Sequence, residues 1–276
     1  MAEPGASCDL VVIGAGIAGL VAANRAAQLG KRVVVLEKGS EDKYLCNSRY
    51  TYGTFHIHFT DLGADEDILL AKIEACTEGF ARKDLARAVA SDGRRLMQWL
   101  KSENIDLIRL DNYQTNVLSP AWRKGYGLTW KDYGGDLALQ RLETNLQQRQ
   151  GRLLRGTRAT ALKPERNGIV VETSGGRFHA GAVVLADGGF QASLDLIREH
   201  VTPAADKLLQ RNGGTATGDG LRMAQALGAA TIGLQNFYGH LHSRDAMHTD
   251  RLWPRPYADE LAASGIVIDD SGRRVP

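Results

Sequence analysis

DLVVIGAGIAGLVAANRAAQLGKRVVVLEK, residues 9–38, decides the fold. Cys8 to Ile13 is a short β-branched run that stops at Gly14, the pattern of a buried parallel strand. Gly14-Ala15-Gly16-Ile17-Ala18-Gly19 comes next and spells G-x-G-x-x-G. Leu20, Val21, Ala23, Asn24, Ala27 and Gln28 then read as a helix broken at Gly30. Arg32 to Leu36 is a second buried strand, closed by Glu37.

Each residue type in this unit has a physical reason. Gly14 permits the tight turn off the strand. Gly16 has no β-carbon, so a diphosphate can approach the backbone. Gly19 lets the helix pack close to the strands. The helix N-terminus offers unpaired N–H groups and a positive dipole end to phosphate oxygens. Glu37 lies 21 residues after Gly16, where its carboxylate can accept from a ribose and repel a 2′-phosphate. Strand, glycines, helix, strand and acid occur in the order that a dinucleotide-binding unit requires. The fingerprint alone leaves FAD and NAD both open.

Composition narrows the classes further. The chain has 276 residues, 43% apolar and 24% charged, the balance of a globular protein able to bury a core. It is too apolar for a disordered chain. Its length fits one large domain or two modest ones. A net charge of +2 is too weak to argue for a nucleic-acid partner. With 31 glycines but 7 prolines, the chain has many points where backbone passes close to something, rather than flexible linkers. Cys8, Cys46 and Cys76 form no C-x-x-C pair, which fits a reducing compartment without disulfides. The longest uncharged apolar stretch, Leu10 to Asn24, has 15 residues, short of the roughly 18 needed to span a membrane. The residues before it carry Glu3 and Asp9 and no Lys or Arg, unlike a signal peptide. The sequence reads as soluble and cytoplasmic, with no transmembrane segment.

Beyond Glu37 the strict strand–helix alternation stops. Residues 46–59 read as a polar loop entering a short extended segment, and 66–82 and 84–103 as helices. Residues 111–135 are loop-rich, with Trp122 and Trp130, and a helix covers roughly 136–149. Arg152 to Arg155 is a candidate third parallel strand. Ile169 to Thr173 and Arg177 to His179 form a hairpin across Ser174-Gly175-Gly176. Ala182 to Ala186 is a further buried strand ending in Asp187-Gly188-Gly189. Thr217-Gly218-Asp219-Gly220 precedes a helix from Leu221 to Leu227, which Asp219 can cap.

In this order the chain resembles the FAD-binding oxidoreductases of the fumarate reductase/succinate dehydrogenase flavoprotein type, closest to the tricarballylate-dehydrogenase-like members. The matching stretches are residues 9–38, CNSRYTYGTFH (46–56), ATAL (159–162), VVLADGGF (183–190), TGDGLRMAQALGA (217–229) and GIVIDDSGRR (265–274). The resemblance implies an α/β fold. A Rossmann-like FAD-binding domain over 1–232 would combine a parallel sheet, helices and a small β-meander, without its usual C-terminal segment. Residues 233–276 would begin a substrate-capping domain.

It also implies roles for single residues. FAD would be held by Gly14, Ala15, Gly16, Ala18 and Gly19, by Glu37 and Lys38, and by Asn47, Ser48, Gly53 and Thr54 of the polar loop. Ala159, Ala186, Asp187, Gly188, Gly218 and Asp219 complete the set. Thr54 departs from the family's frequent glycine. Arg49 follows Ser48, whereas succinate dehydrogenases carry their flavin on a histidine in this loop, so FAD is expected to be non-covalent. Gln235-Asn236-Phe237-Tyr238-Gly239-His240 is similar to the family's Gln-x-His-Pro-Thr segment, which gives His240 a substrate carboxylate to bind. His242 and His248, and the pair His56 and His58 on one face of an extended segment, read as ordinary imidazoles, with no metal site. Trp253-Pro254-Arg255-Pro256 reads as a rigid turn, its arginine solvated or facing an anion.

The implied reaction is hydride transfer between flavin N5 and a C–C bond of a small anionic, carboxylate-type substrate. A 3-oxosteroid dehydrogenase shares the architecture. A catalytically incompetent FAD-binding or partner-requiring subunit is the reading from outside the enzymes. The family's proton-donor arginine and its closing glycine-rich strand–helix are expected beyond residue 276 or on a second chain, so no catalytic residue is assigned.

Overall fold

The two valine-rich runs beside the glycine motif are apolar on both faces, so they are stable only in a sheet covered on both sides. The computed structural model describes residues 7–51, 53–110, 115–121, 130–210, 212–252 and 258–275, and it covers both faces. The chain opens with β1 (Ser7–Ile13), α1 (Ile17–Gln28), β2 (Val33–Leu36) and the single turn α2 (Asn47–Tyr50). Next come β3 (Thr54–Ile57), β4 (Thr60–Asp61), α3 (Glu66–Thr77), α4 (Lys83–Ser102), β5 (Leu107–Leu110), β6 (Thr115–Leu118) and α5 (Gly134–Gln148). The chain continues through β7 (Arg152–Leu154), β8 (Ala159–Glu165), β9 (Gly168–Thr173), β10 (Gly176–Leu185), α6 (Leu194–His200), α7 (Asp219–Ala226) and α8 (Asp259–Ser264).

The main sheet has the order β7-β2-β1-β10-β9-β8. Its first four strands are parallel, and β9 and β8 are antiparallel. Side chains alternate along each strand. Val12, Val33 and Val35 face Leu20 and Ala23 of α1 and Leu139, Leu142 and Leu146 of α5. Val11, Ile13, Val34 and Leu36 face the other way, with Val171, Phe178 and Met223 of α7. A small antiparallel sheet, β4-β3-β6-β5, shares no ladder with this one, but Leu118, Phe55 and Leu107 pack it onto the same core.

The helices are held in register by buried polar groups. Glu103, just past α4, takes a two-pronged contact from Arg149 at 2.6 and 2.9 Å, and accepts from Gln28 and Asn145 as well. Asn24 of α1 donates to the carbonyls of Leu20 and Leu142 at 2.9 Å. A buried charge satisfied on every side fixes geometry at little net cost, whereas a half-satisfied one is destabilising.

Several expectations need correction. Residues 177–179 and 182–186 do not form separate strands, since β10 runs unbroken through 176–185. Residues 176–180 pair with β9 and 179–185 with β1, so His179 and Ala180 are paired on both sides just before Gly181. A glycine weakens strand propensity locally, but the overlap of the two pairings just before it and the β1 ladder beyond it carry the strand through. Residues 159–165 form β8, an unanticipated edge strand. His56 and His58 do not share a face: His58 has φ 43°, in the turn between β3 and β4. The helix expected over 66–82 ends at Thr77. Trp122 and the Trp253–Pro256 turn lie outside the described residues.

Gly19 gives the sharpest test of this packing, because a β-carbon there would fall on the carbonyl oxygen of Gly14. Gly19→Ala should cost about 3 kcal/mol or more, the upper range for overpacking. Equilibrium denaturation should show the loss as a lower midpoint with an unchanged slope.

Candidate functional site

The register of the main sheet pairs Ile13 with both Leu36 and Leu185, so β1, β2 and β10 end at one level. The turns that leave these three strands are therefore brought together. The Gly14 amide donates to the Leu36 carbonyl at 2.8 Å, and the Ala186 amide to the Ile13 carbonyl at 2.8 Å. Gly14 has φ +96°, and a β-carbon on it would lie 2.5 Å from the Ala186 carbonyl oxygen. These turns, the loop at 45–48 and the turn at 157–159 enclose a cleft of about 360 Å³. It opens at the carboxyl ends of parallel strands, where α/β sheets take their ligands.

The N-terminus of α1 forms one wall. Its Ile17 amide donates to Ser48 Oγ at 3.0 Å, and the Ala15 amide to Glu37 Oε2 at 3.1 Å. Among the described residues nothing accepts from the amides of Gly16 and Ala18, both of which line the cleft. Glu37 is buried, and its other oxygen accepts from the Gly39 amide at 2.8 Å. A carboxylate has about four acceptor positions, so capacity for a hydroxyl remains. Asn47 Oδ1 accepts from the Gly213 amide at 2.8 Å, closing the loop over the cleft. Two free amides at a helix N-terminus, bare glycine edges and a buried carboxylate suit a diphosphate carrying a ribose.

The opposite rim is ionic. Asp219 pairs with Arg158 at 2.7 and 3.0 Å and with Lys38 at 3.5 Å, and Lys38 donates to Thr217 Oγ1 at 2.9 Å. Burial pushes the Asp219 carboxyl up, but the Arg158 hydrogen bonds and the Lys38 charge outweigh it and hold it below the usual range. Asp219 does not cap α7. Gly218 occupies the cap position, and Asp187 reaches from the β10 turn to accept the Gly220 amide at 2.7 Å.

The cleft thus gathers Gly14, Ala15, Gly16, Ala18, Glu37, Lys38, Asn47, Ser48, Ala159, Ala186, Asp187, Gly188 and Asp219. Gly19, Gly53, Thr54 and Gly218 are not on its lining. Gly19 packs α1 on β1, and Gly53 packs on the Leu118 side chain. Thr54 pairs with Val117 in the small sheet. Arg158 and Cys46 also line the cleft, although the sequence does not mark them as site residues. Arg158 directly precedes Ala159 in the ATAL stretch, the only local cue to it. His240 lies off the cleft lining, with Nδ1 2.6 Å from Asp259 Oδ2 and Nε2 3.0 Å from the Tyr238 hydroxyl.

Residues 9–276 match the model of the FAD binding domain. The chain belongs to that family. FAD is therefore its cofactor, and the choice between FAD and NAD left by the fingerprint is resolved. As a FAD binding domain it is 28% identical over 244 residues to the vinyl phenol reductase of Lactiplantibacillus plantarum, covering 82% of this chain and 47% of that protein. The chain spans about half the length of this curated relative. Its fold superposes with TM-score 0.67 on the 3-ketosteroid-Δ4-(5α)-dehydrogenase of Rhodococcus jostii RHA1, at 21% identity over 85% of this chain and 56% of that one. A flavocytochrome c3 fumarate reductase also gives TM-score 0.67, at 22% identity over 83% of this chain and 42% of that one. No helix among the described residues is long and apolar enough to cross a membrane.

Two measurements probe the cleft's chemistry. Burial pushes the Cys46 thiol up to about 11, and Cys8 is also buried and raised, whereas Cys76 is exposed. Native protein at neutral pH should release one equivalent of thiolate quickly with a disulfide reagent, from Cys76, and all three only after denaturation. Asp219 contributes stability that is present above the ordinary carboxylate pKa and lost as pH falls through its depressed value. Asp219→Asn should flatten the stability–pH curve below pH ~4 relative to the parent.

Proposed function

We propose that FAD lies with its diphosphate against the N-terminus of α1 and its adenosine ribose on Glu37. On this reading the protein is a FAD-dependent oxidoreductase that acts on a C–C bond of a small carboxylate-type substrate. The observation that carries the reading is the convergence of the Gly16 and Ala18 amides, the Glu37 carboxylate and the Ser48–Asn47 loop on one cleft. When bound, FAD supplies two-electron hydride transfer at its N5.

The chain's own residues bind and orient. The α1 amides neutralise the diphosphate, and Ser48 keeps the loop at the distance one phosphate needs. Residues 45–51 contain no histidine, and the Arg49 side chain is fully buried and away from the cleft lining, which supports non-covalent binding. Residues 233–276 begin the part that covers the substrate. Arg244 and Arg251 of that segment can pair with a carboxylate. Asp259 holds the His240 ring in place.

The first test is binding. Titration of FAD against the purified chain, read by quenching of flavin fluorescence, should give a stoichiometric yellow complex. Gly16→Val should weaken it at least tenfold, about 1.4 kcal/mol. A Gly16→Val protein that folds and binds FAD like the parent would overturn the placement. Perturbation of the bound-flavin absorption spectrum by a small carboxylate but not by a steroid enone supports the substrate class, and the reverse preference, or a response to neither, overturns it.

A further inference from the structure

Beside the cleft, but not on its lining, lies a buried ionic cluster. Arg49 is fully buried, with its side chain paired to Asp136, equally buried, and to Glu143 at 2.8 Å. The other Glu143 oxygen takes Arg155 at 2.6 Å. Asp136 also accepts from the Asp132 amide at 2.8 Å and pairs with Lys43 at 3.4 Å. The Arg49 guanidinium lies 4.5 Å from the centre of the Tyr44 ring. Tyr44 is itself fully buried, and its hydroxyl donates to the Ala15 carbonyl at 2.7 Å.

This cluster touches both walls of the diphosphate site. Ala15 belongs to the glycine turn, so Tyr44 fixes one wall. Arg49 directly follows Ser48, whose Oγ caps the Ile17 amide at 3.0 Å, so Arg49 fixes the other. Both are referred to α5, which supplies Asp136 and Glu143 and is anchored in the core by Leu139, Leu142 and Leu146. A buried guanidinium costs more to desolvate than an apolar side chain of its size, and its planar fork gives direction in return. The apolar alternative would fill the space without setting the distance between the two walls.

We propose that Tyr44 and Arg49 are positioning residues for the FAD diphosphate, holding the glycine turn and Ser48 at the separation that the bound cofactor requires. This rests on the diphosphate placement proposed above. Neither residue touches the cofactor in that placement. Each acts through a neighbour, Tyr44 through Ala15 and Arg49 through Ser48.

The test is FAD affinity of the full 276-residue chain, by fluorescence quenching, for Tyr44→Phe, Ser48→Ala, Arg49→Met, the two pairs that include Ser48→Ala, and Gly16→Val. Tyr44→Phe loses one hydrogen bond and should bind FAD about three- to tenfold more weakly. Arg49→Met should weaken binding at least as much, but adding it to Ser48→Ala should change affinity less than about twofold, since residues acting through one contact are not additive. If Gly16→Val loses FAD while Tyr44→Phe and Arg49→Met bind like the parent, the positioning role is wrong and the placement stands. If Gly16→Val binds normally, both are wrong. Full additivity of Arg49→Met with Ser48→Ala would reduce Arg49 to a general stabiliser and overturn its role. Should Arg49→Met not fold, Arg49→Lys, which keeps the charge but loses the planar fork, replaces it under the same criteria, whereas Tyr44→Phe and Ser48→Ala act through different contacts and should be additive.

Discussion

Where β1 hands over to α1 there is no room for one more carbon atom. A β-carbon at Gly19 would overlap the Gly14 carbonyl, and one at Gly14 would lie 2.5 Å from the Ala186 carbonyl oxygen. The helix can therefore press directly onto the strand ends. That contact places the α1 amides at the level where β2 delivers Glu37 and β10 delivers Ala186 and Asp187. The cleft, its free donors and its buried acid all depend on this steric condition. The hydrophobic layers on either face of the sheet stabilise it, but they do not aim it.

α5 has a second role beside its core packing. Its apolar side chains Leu139, Leu142 and Leu146 join the main core, and its polar ones reach two separate buried networks. One network ties Asn145 to Glu103 and Arg149 near its C-terminus. The other ties Asp136 and Glu143 to Arg49. In a low-dielectric interior such networks are strong when complete and expensive when broken, so they specify one arrangement of helix and loop.

The part of the fold legible in the sequence is the part with local signals. The glycine turn, the valine alternation and the Glu37 position carry their meaning within 30 residues, and β1, α1, β2 and the part of the cleft lined by residues 13–18 and 36–38 derive from them. Sequence alone splits β10 in two because Gly181 interrupts the apolar run, and only pairing with β9 and β1 that overlaps at His179 and Ala180 keeps it continuous. Of the small sheet only the extended segment that becomes β3 is legible, and β4, β5 and β6 escape because they are short and carry Thr, Asp, Asn and Arg with little alternation. The Arg49 cluster has no local signal at all, since Asp136 and Glu143 are 87 and 94 residues away. Arg158 and Asp219, 61 residues apart, meet only after β8 and α7 pack together. Gly53, Gly218 and Gly19, expected at the cofactor, lie off the cleft lining and pack tightly on protein atoms, a distinction that the sequence does not carry.

Two helices, α1 and α7, begin beside the cleft, but they do not offer it the same thing. The start of α7 already holds the Asp187 carboxylate on its Gly220 amide, with Asp219 in its first turn. Its partial positive charge is spent within the protein. The start of α1 keeps two amides open. An anion entering the cleft therefore finds open backbone donors at the start of α1, whereas the Gly220 amide at the start of α7 is already taken by Asp187.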